Sequence, residues 1–141
     1  KKVSRLPRFV FLFLLLFLHP ADSFAETEEE QIRVYFFHGT IRCYSCLRMS
    51  SLLGEALQQD FSNLLDSGVL QWRPVNIELA ESAHYLREFG VSEHDVVLVK
   101  YRKGKPVRWV KLNDLWKNVE RRKVLFSHVK ERVETFRRER D

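Results

Sequence analysis

The chain contains two cysteines, Cys43 and Cys46, and two residues separate them. At this spacing the thiols can form a disulfide within one turn of a helix, because side chains three residues apart lie on the same face. Such a pair can exchange disulfides with another protein, hold a thiophilic metal ion, or form a structural bond that stiffens a turn. The spacing alone leaves these three alternatives open.

In the exchange alternative the two cysteines have different tasks. Cys43 would attack the disulfide of a partner, and Cys46, one turn deeper, would resolve the mixed disulfide by attacking Cys43. The free N–H groups at the start of a helix stabilise a thiolate, and Arg42 and Arg48 add positive charge nearby. We therefore expect Cys43 to be the more reactive thiol.

Four further residues are candidates for supporting roles, namely His38, Arg42, His94 and Asp95. His38 could complete a metal site with the two cysteines, or could transfer a proton during exchange. The simpler interpretation is a histidine at the end of a strand that bonds to nearby backbone, and His94 carries the same ambiguity. Haem attachment is excluded, because Leu47 rather than histidine follows the second cysteine.

Hydrophobic periodicity predicts the elements that position the pair. Residues 32–37 are β-branched and aromatic apart from one arginine, which predicts a central strand covered on both faces. Apolar residues at helical spacing predict a first helix that begins near the cysteines and ends before Gly68, where a left-handed cap is expected. Residues 69–77 predict a second strand, which Pro74 places at a sheet edge.

Three more elements are predicted, a short helix and two strands that form a hairpin, at residues 79–89, 96–101 and 107–112. Asn113 and Asp114 are expected to cap a last helical region that reaches Phe136 and breaks near residues 120–123. The resulting order, βαβαββα, predicts an α/β fold with a central mixed sheet between helices, as in a thioredoxin-like three-layer sandwich.

The element order and the cysteine motif together resemble the thioredoxin-like superfamily over residues 30–136. More narrowly, F-H-G-T-x-R-C-x-x-C at residues 37–46 resembles small exported thioredoxin-like proteins described as nitrophenyl compound nitroreductase subunits. Similar too are VNIE at 75–78, VVLV at 96–99 and the RW…L…W series at 108–116. The chain has no flavin or nicotinamide fingerprint such as G-x-G-x-x-G, so we predict no cofactor, and any nitro reduction would occur on another chain.

Two departures from ordinary thioredoxins lie where the active site is expected. Thioredoxins usually have tryptophan before the first cysteine and Gly-Pro between the two, whereas this chain has Arg42 and then Tyr44-Ser45. Thioredoxins also place a cis-proline before the third strand, where this chain has Glu93-His94-Asp95. The missing proline weakens the case for exchange and strengthens the case for metal binding, although exchange stays the leading interpretation. A carboxylate near the pair would raise a thiol pKa and so oppose the helix dipole.

The first 25 residues have the pattern of a cleaved export signal. A basic start precedes an unbroken apolar run from Phe9 to Leu18, and small residues at Ser23 and Ala25 fit a signal-peptidase site. We expect cleavage after Ala25, one thioredoxin-like domain over residues 26–141, and a periplasmic or secreted location. The alternative is an inner-membrane anchor formed by the uncleaved segment, although ten residues make only about 15 Å of helix against a hydrocarbon core of about 30 Å.

Charge argues against a nucleic-acid partner. The signal holds four of the 24 basic and one of the 19 acidic residues, which leaves the remaining domain a net charge of about +2.

We expect a monomer, without a stable membrane span after cleavage, whose partner is a redox protein. The alternative is an accessory interaction subunit with a structural disulfide, or a metal-binding protein with Cys43, Cys46 and His38 as ligands. Trp72, Trp109 and Trp116 are assigned to packing, because each lies in an apolar periodic segment.

Overall fold

A computed structural model describes residues 30–139 of the chain, so the predicted export signal and its cleavage point lie outside the described residues. The four strands are β1 (Glu30–His38), β2 (Leu70–Asn76), β3 (Val96–Arg102) and β4 (Lys105–Lys111). The helices are α1 (Tyr44–Asp66), α2 (Ala83–Phe89) and α3 (Arg122–Arg138), with short 3₁₀ segments at Ala80–Ser82 and Asn113–Asn118. Between residues 30 and 139 no helix is both long enough and apolar enough to cross a membrane.

The strands form one mixed sheet in the order β2-β1-β3-β4. β1 runs parallel to β2 and antiparallel to β3, and β3 and β4 form an antiparallel hairpin. The α/β class with a central mixed sheet and helices, as predicted from the sequence, is confirmed. β2 lies at an edge, as Pro74 predicted, because a residue without an N–H group is tolerated where one side of the strand has no neighbour.

β1 is covered on both faces, as its continuous apolar sequence predicted. Phe36 packs into the larger core with the buried faces of α1 and α3, and Phe37 packs on the opposite side of the sheet with Phe89 of α2. Both phenylalanines are fully buried, and each burial stabilises the fold by about 2–3 kcal/mol. This two-sided packing fixes the carboxyl end of β1, from which the chain passes to the cysteines.

The helix ends agree with the predictions except at one cap. Gly68 has a positive φ angle of 77°, so the predicted left-handed cap is confirmed. Gly90, which follows the last residue of the second helix, also has a positive φ angle, 59°. The last helical region is broken, as expected, between the second 3₁₀ segment and α3. The predicted cap by Asn113 and Asp114 is wrong, because that 3₁₀ segment follows Leu112 and has no side-chain cap. The Asn113 side chain bonds instead at the start of β3, where its Oδ1 accepts from the Val96 N–H and its Nδ2 donates to the Asp95 carboxylate.

Candidate functional site

The cysteines lie at the start of α1, immediately after the turn that follows β1. Cys43 is the N-cap residue and its extended backbone leads into the helix, while its Sγ atom accepts a hydrogen bond of 3.3 Å from the Cys46 N–H. The two residues form a disulfide with a Cα–Cα distance of 5.2 Å. Cys43 is exposed, whereas Cys46 is only 2% exposed. The structure therefore gives the two sulfurs the unequal access that the sequence predicted.

His94 lies beside the disulfide in a backbone conformation that is uncommon for residues other than glycine. Its φ angle is 76°, in the left-handed region that a side chain with a Cβ rarely adopts. Two hydrogen bonds hold it there: its N–H donates to the Phe37 carbonyl at 2.8 Å, and its carbonyl accepts from Trp116 Nε1 at 2.8 Å. Strain of this kind persists only where the surroundings impose it, and it concentrates at functional sites.

The structure brings the imidazole of His94 to the two sulfurs. One ligand atom each from Cys43, Cys46 and His94 lie within 4.8 Å of one another. The same three residues and Trp116 line an open, apolar depression with a volume of about 210 Å³. This depression is the candidate functional site.

Trp116 is the site residue that the sequence analysis missed. It is half-buried, as expected for packing, but its ring also meets the His94 ring edge-on at a centroid distance of 5.9 Å. Its position in an apolar segment after β4 carries no signal that it approaches the loop before β3. Only the hairpin, which brings the end of β4 back beside the start of β3, places the two residues together.

Asp95 anchors the loop before β3. Its side chain is almost fully buried and accepts hydrogen bonds from the Ser92 N–H at 3.0 Å and from Asn113 Nδ2 at 2.7 Å, and Lys111 Nζ lies 2.9 Å away. Burial would raise the pKa of Asp95, but the bonds from Lys111, Ser92 and Asn113 outweigh it and hold the pKa below its usual value. Asp95 is thus ionised, the three bonds offset the cost of burying its charge, and it holds the loop next to His94 in place.

Glu93 joins the turn after β1 to the loop before β3. Its Oε1 atom accepts a hydrogen bond of 3.2 Å from the Gly39 N–H and lies 3.5 Å from His94 Nε2. Gly39 allows this approach, because a Cβ atom at that position would lie 2.8 Å from Glu93 Oε1. Glycine at this position therefore lets the carboxylate approach the backbone, and its φ angle is not positive.

His38 has partners other than the cysteines. It is 6% exposed, its Nδ1 atom lies 2.9 Å from the Gly39 carbonyl oxygen, and the Arg42 guanidinium contacts both ring nitrogens. Among the described residues it is not part of the group that places ligand atoms together with the two sulfurs, whereas His94 is. Arg48 likewise bonds to the Val119 carbonyl at 3.2 Å. His94 thus lies beside the disulfide sulfurs, whereas the His38 ring contacts the Arg42 guanidinium.

Comparisons with known proteins concern the fold. Trxlp from Edwardsiella tarda EIB202 is 24% identical, with 57% of this chain and 69% of that chain covered and a TM-score of 0.37. Two malarial structures also have TM-scores of 0.37. One is the structure of a malarial protein, at 16% identity over 65% of this chain and 97% of its own. The other is thioredoxin-2, described as a component of malaria parasite protein secretion machinery, at 19% identity over 64% and 82%. No protein-family model and no curated protein sequence matches the chain.

Proposed function

We propose that this protein exchanges disulfides with a partner protein through Cys43 and Cys46. The observation that carries the proposal is the pairing of an exposed sulfur at a helix N-terminus with a buried sulfur one turn further along. The exposed sulfur can be reached by another protein, and the unpaired N–H groups of the first helical turn stabilise it as a thiolate. The buried sulfur is reached only from within, as a resolving cysteine requires.

Each exchange moves two electrons. In the reduced protein the Cys43 thiolate attacks one sulfur of the partner's disulfide, so that a mixed disulfide forms and the partner's other sulfur leaves as a thiolate. Cys46, after losing its proton, then attacks Cys43 Sγ, which forms the Cys43–Cys46 disulfide and releases the partner's second thiolate. The partner is reduced and this protein is oxidised; the same steps in reverse oxidise a partner dithiol.

The surface around Cys43 fits a protein partner. Three large apolar side chains near it in sequence are strongly exposed: Ile41 at 89%, Tyr44 at 74% and Leu47 at 51%. Together they form what we call the apolar rim, and the depression beside Trp116 is apolar as well. Clustered apolar side chains on a protein surface mark sites where another molecule binds.

Two finer features belong to the same proposal. We propose that the protein works outside the cytoplasm, since the pattern of residues 1–25 is that of an export signal and a disulfide persists in an oxidising compartment. If the resemblance to nitroreductase subunits holds, the chain that carries out nitro reduction is the candidate partner, and this protein supplies or removes electrons.

The proposal is tested by titrating the purified protein in glutathione buffers of graded potential. A reversible two-electron transition above about −300 mV is expected for a working couple, and Cys43→Ser should abolish it. Cys46→Ser should trap a mixed disulfide with a protein substrate such as insulin. A transition far below that potential would show that the bond is structural. Exchange activity that survives Cys43→Ser would show that Cys43 is not the attacking thiol, and either result contradicts the proposal.

The apolar rim is tested separately. Leu47→Glu should slow reduction of insulin disulfides at least threefold and leave the exchange with glutathione unchanged, because only the protein substrate covers the rim. Leu86 is also about half-exposed but lies on α2, so Leu86→Glu is the matched control. It should change neither the rate of insulin reduction nor the rate of exchange with glutathione. Equal insulin rates for the two variants would contradict docking at the rim.

A further inference from the structure

We propose that the reduced protein binds one Cu(I) ion through Cys43, Cys46 and His94. The inference goes beyond disulfide exchange and requires only that the disulfide can be reduced. Its starting observation is that the ligand atoms of these three residues lie within 4.8 Å of one another, although they come from the helix start and from the loop before β3. The sequence offered His38 first as the third ligand and left His94 open as well, and it is His94 that lies beside the sulfurs.

The distances suit a shared ion. Metal–sulfur bonds of about 2.3 Å and metal–nitrogen bonds of about 2.1 Å place neighbouring ligand atoms about 3.6–4.0 Å apart. Once the disulfide is reduced, the sulfurs must separate by about 2 Å to reach that spacing, while the imidazole needs to move in by less than about 1 Å. Small side-chain rotations supply such movements, so α1 can stay intact.

The ligand types select the ion. Two thiolates and one imidazole form a soft set of three ligands, which favours Cu(I) over hard cations that prefer carboxylate and carbonyl oxygens. Binding displaces one proton from each thiol, so Cu(I) and two thiols give a complex of charge −1 and two protons in solution, with no electron transferred. The N–H groups at the start of α1 stabilise this negative charge as they would a thiolate.

The backbone holds His94 in place before any ion arrives. The bonds from Trp116 Nε1 and to the Phe37 carbonyl hold its backbone at a positive φ angle, and its ligand nitrogen lies within 4.8 Å of both sulfurs. A histidine that binds a metal usually donates its second N–H to a carboxylate. Glu93, itself held by the Gly39 N–H, lies 3.5 Å from His94 Nε2, which leaves Nδ1 as the nitrogen for the ion.

The site is open on one side. Cys43 and His94 are exposed, and only Cys46 is buried. An ion bound there can be reached by the ligands of another protein, which suits transfer more than permanent storage. The apolar rim of Ile41, Tyr44 and Leu47 would then serve the docking of the protein that receives or supplies the ion.

The experiment measures Cu(I) binding to anaerobically reduced protein by competition with bicinchoninate. We expect one Cu(I) per chain and a loss of the site in Cys43→Ser. His94→Asn should weaken binding at least tenfold, and asparagine is chosen because it tolerates a positive φ angle. His84→Asn is the matched control, since His84 is an exposed histidine bonded to the Glu81 carbonyl, and it should bind as the wild type does. X-ray absorption of the loaded protein should show two sulfur atoms and one nitrogen atom around copper.

The outcomes separate this inference from the proposed function. Glutathione titration of the copper-free wild type and of His84→Asn should show the same two-electron transition, which measures exchange independently of copper. If the wild type titrates but does not bind Cu(I), or if His94→Asn binds it as tightly as the wild type, the copper site is wrong and disulfide exchange stands. If Cu(I) binds with the expected ligands but no redox transition occurs, exchange is wrong and the copper site stands.

Discussion

Asp95 should contribute strongly to stability, and its replacement by asparagine tests the account of the loop before β3. Three donors face its carboxylate, from Ser92, Asn113 and Lys111. Asparagine has one acceptor oxygen, and an NH₂ group replaces the other carboxylate oxygen. At least one of the three donors would therefore face this NH₂ group and lose its hydrogen bond. The variant also leaves the Lys111 ammonium without its counter-charge.

The magnitude follows from these contacts. Hydrogen bonds to a charged group contribute about 1.5–3 kcal/mol each, and losing two of them would give about 3–6 kcal/mol. Lys111 is 40% exposed, so water screens its contribution, and we expect a loss of about 2–3 kcal/mol for Asp95→Asn. For a domain of this size the same loss lowers Tm by roughly 10 °C.

The assay is urea unfolding of the oxidised protein, followed by circular dichroism, at pH 7 and at pH 3. Because the pKa of Asp95 is lowered in the folded state, its stabilising contribution is fully present above the unfolded value of about 3.9 and is lost as pH falls through the folded pKa. The gap between wild type and Asp95→Asn should therefore narrow at pH 3. Asp66→Asn, at the exposed end of α1, is the control and should be neutral at both pH values. Equal urea-unfolding midpoints for Asp95→Asn and Asp66→Asn at pH 7 would show that the Asp95 carboxylate does not stabilise the loop.

Three further predictions concern other contacts. Trp116→Phe removes the bond to the His94 carbonyl and should cost about 1 kcal/mol in urea unfolding, whereas an unchanged midpoint would show that the bond is not formed. Burial raises the pKa of Tyr85 to about 12, so only about a tenth of its side chains should be ionised at pH 11. The absorbance of the native wild type at 295 nm should then exceed that of Tyr85→Phe by about a tenth of one tyrosinate, and a difference of one whole tyrosinate would contradict this burial. Gly39→Ala places a Cβ atom against the flexible end of Glu93, so its cost should stay below about 1 kcal/mol, and a larger loss would mean that the backbone also shifts.

The sequence predicts the fold well because short-range patterns determine it. The run of residues 32–37 and the helical spacing after Met49 depend on neighbours along the chain, and Gly68 and Gly90 mark helix ends through their own conformational freedom. Pro74 indicates an edge strand because it lacks a donor. Each of these signals is local, so no knowledge of the tertiary structure is needed to read it.

The cysteine pair was predictable on the same local grounds, and the loop at residues 93–95 from the resemblance to thioredoxins, whereas the contacts that complete the site were not. Asn113 has the residue type of a helix cap, but the hairpin carries it to the start of β3, where Asp95 and the Val96 N–H bind its side chain more completely. His38 is closer to Cys43 in sequence than His94 is, yet the turn after β1 engages His38 with Arg42. The pairing of β1 with β3 places the loop before β3, and with it His94, beside the sulfurs. The resemblance to thioredoxins pointed to this loop, but no local pattern shows which of the two histidines meets the sulfurs.

The loop before β3 links the stability of the fold to the chemistry of the site. Asp95 is fixed to β4 and to the segment after it, and the neighbouring residue His94 is fixed to β1 and Trp116, so one anchor holds the backbone that presents the imidazole. Asp95→Asn should consequently weaken Cu(I) binding as well as stability, even though Asp95 lies outside the group of ligand atoms. Asp66→Asn should leave both unchanged. If Asp95→Asn lowers stability while Cu(I) affinity stays at the wild-type value, the bonds made by the His94 backbone itself are sufficient to position the ring.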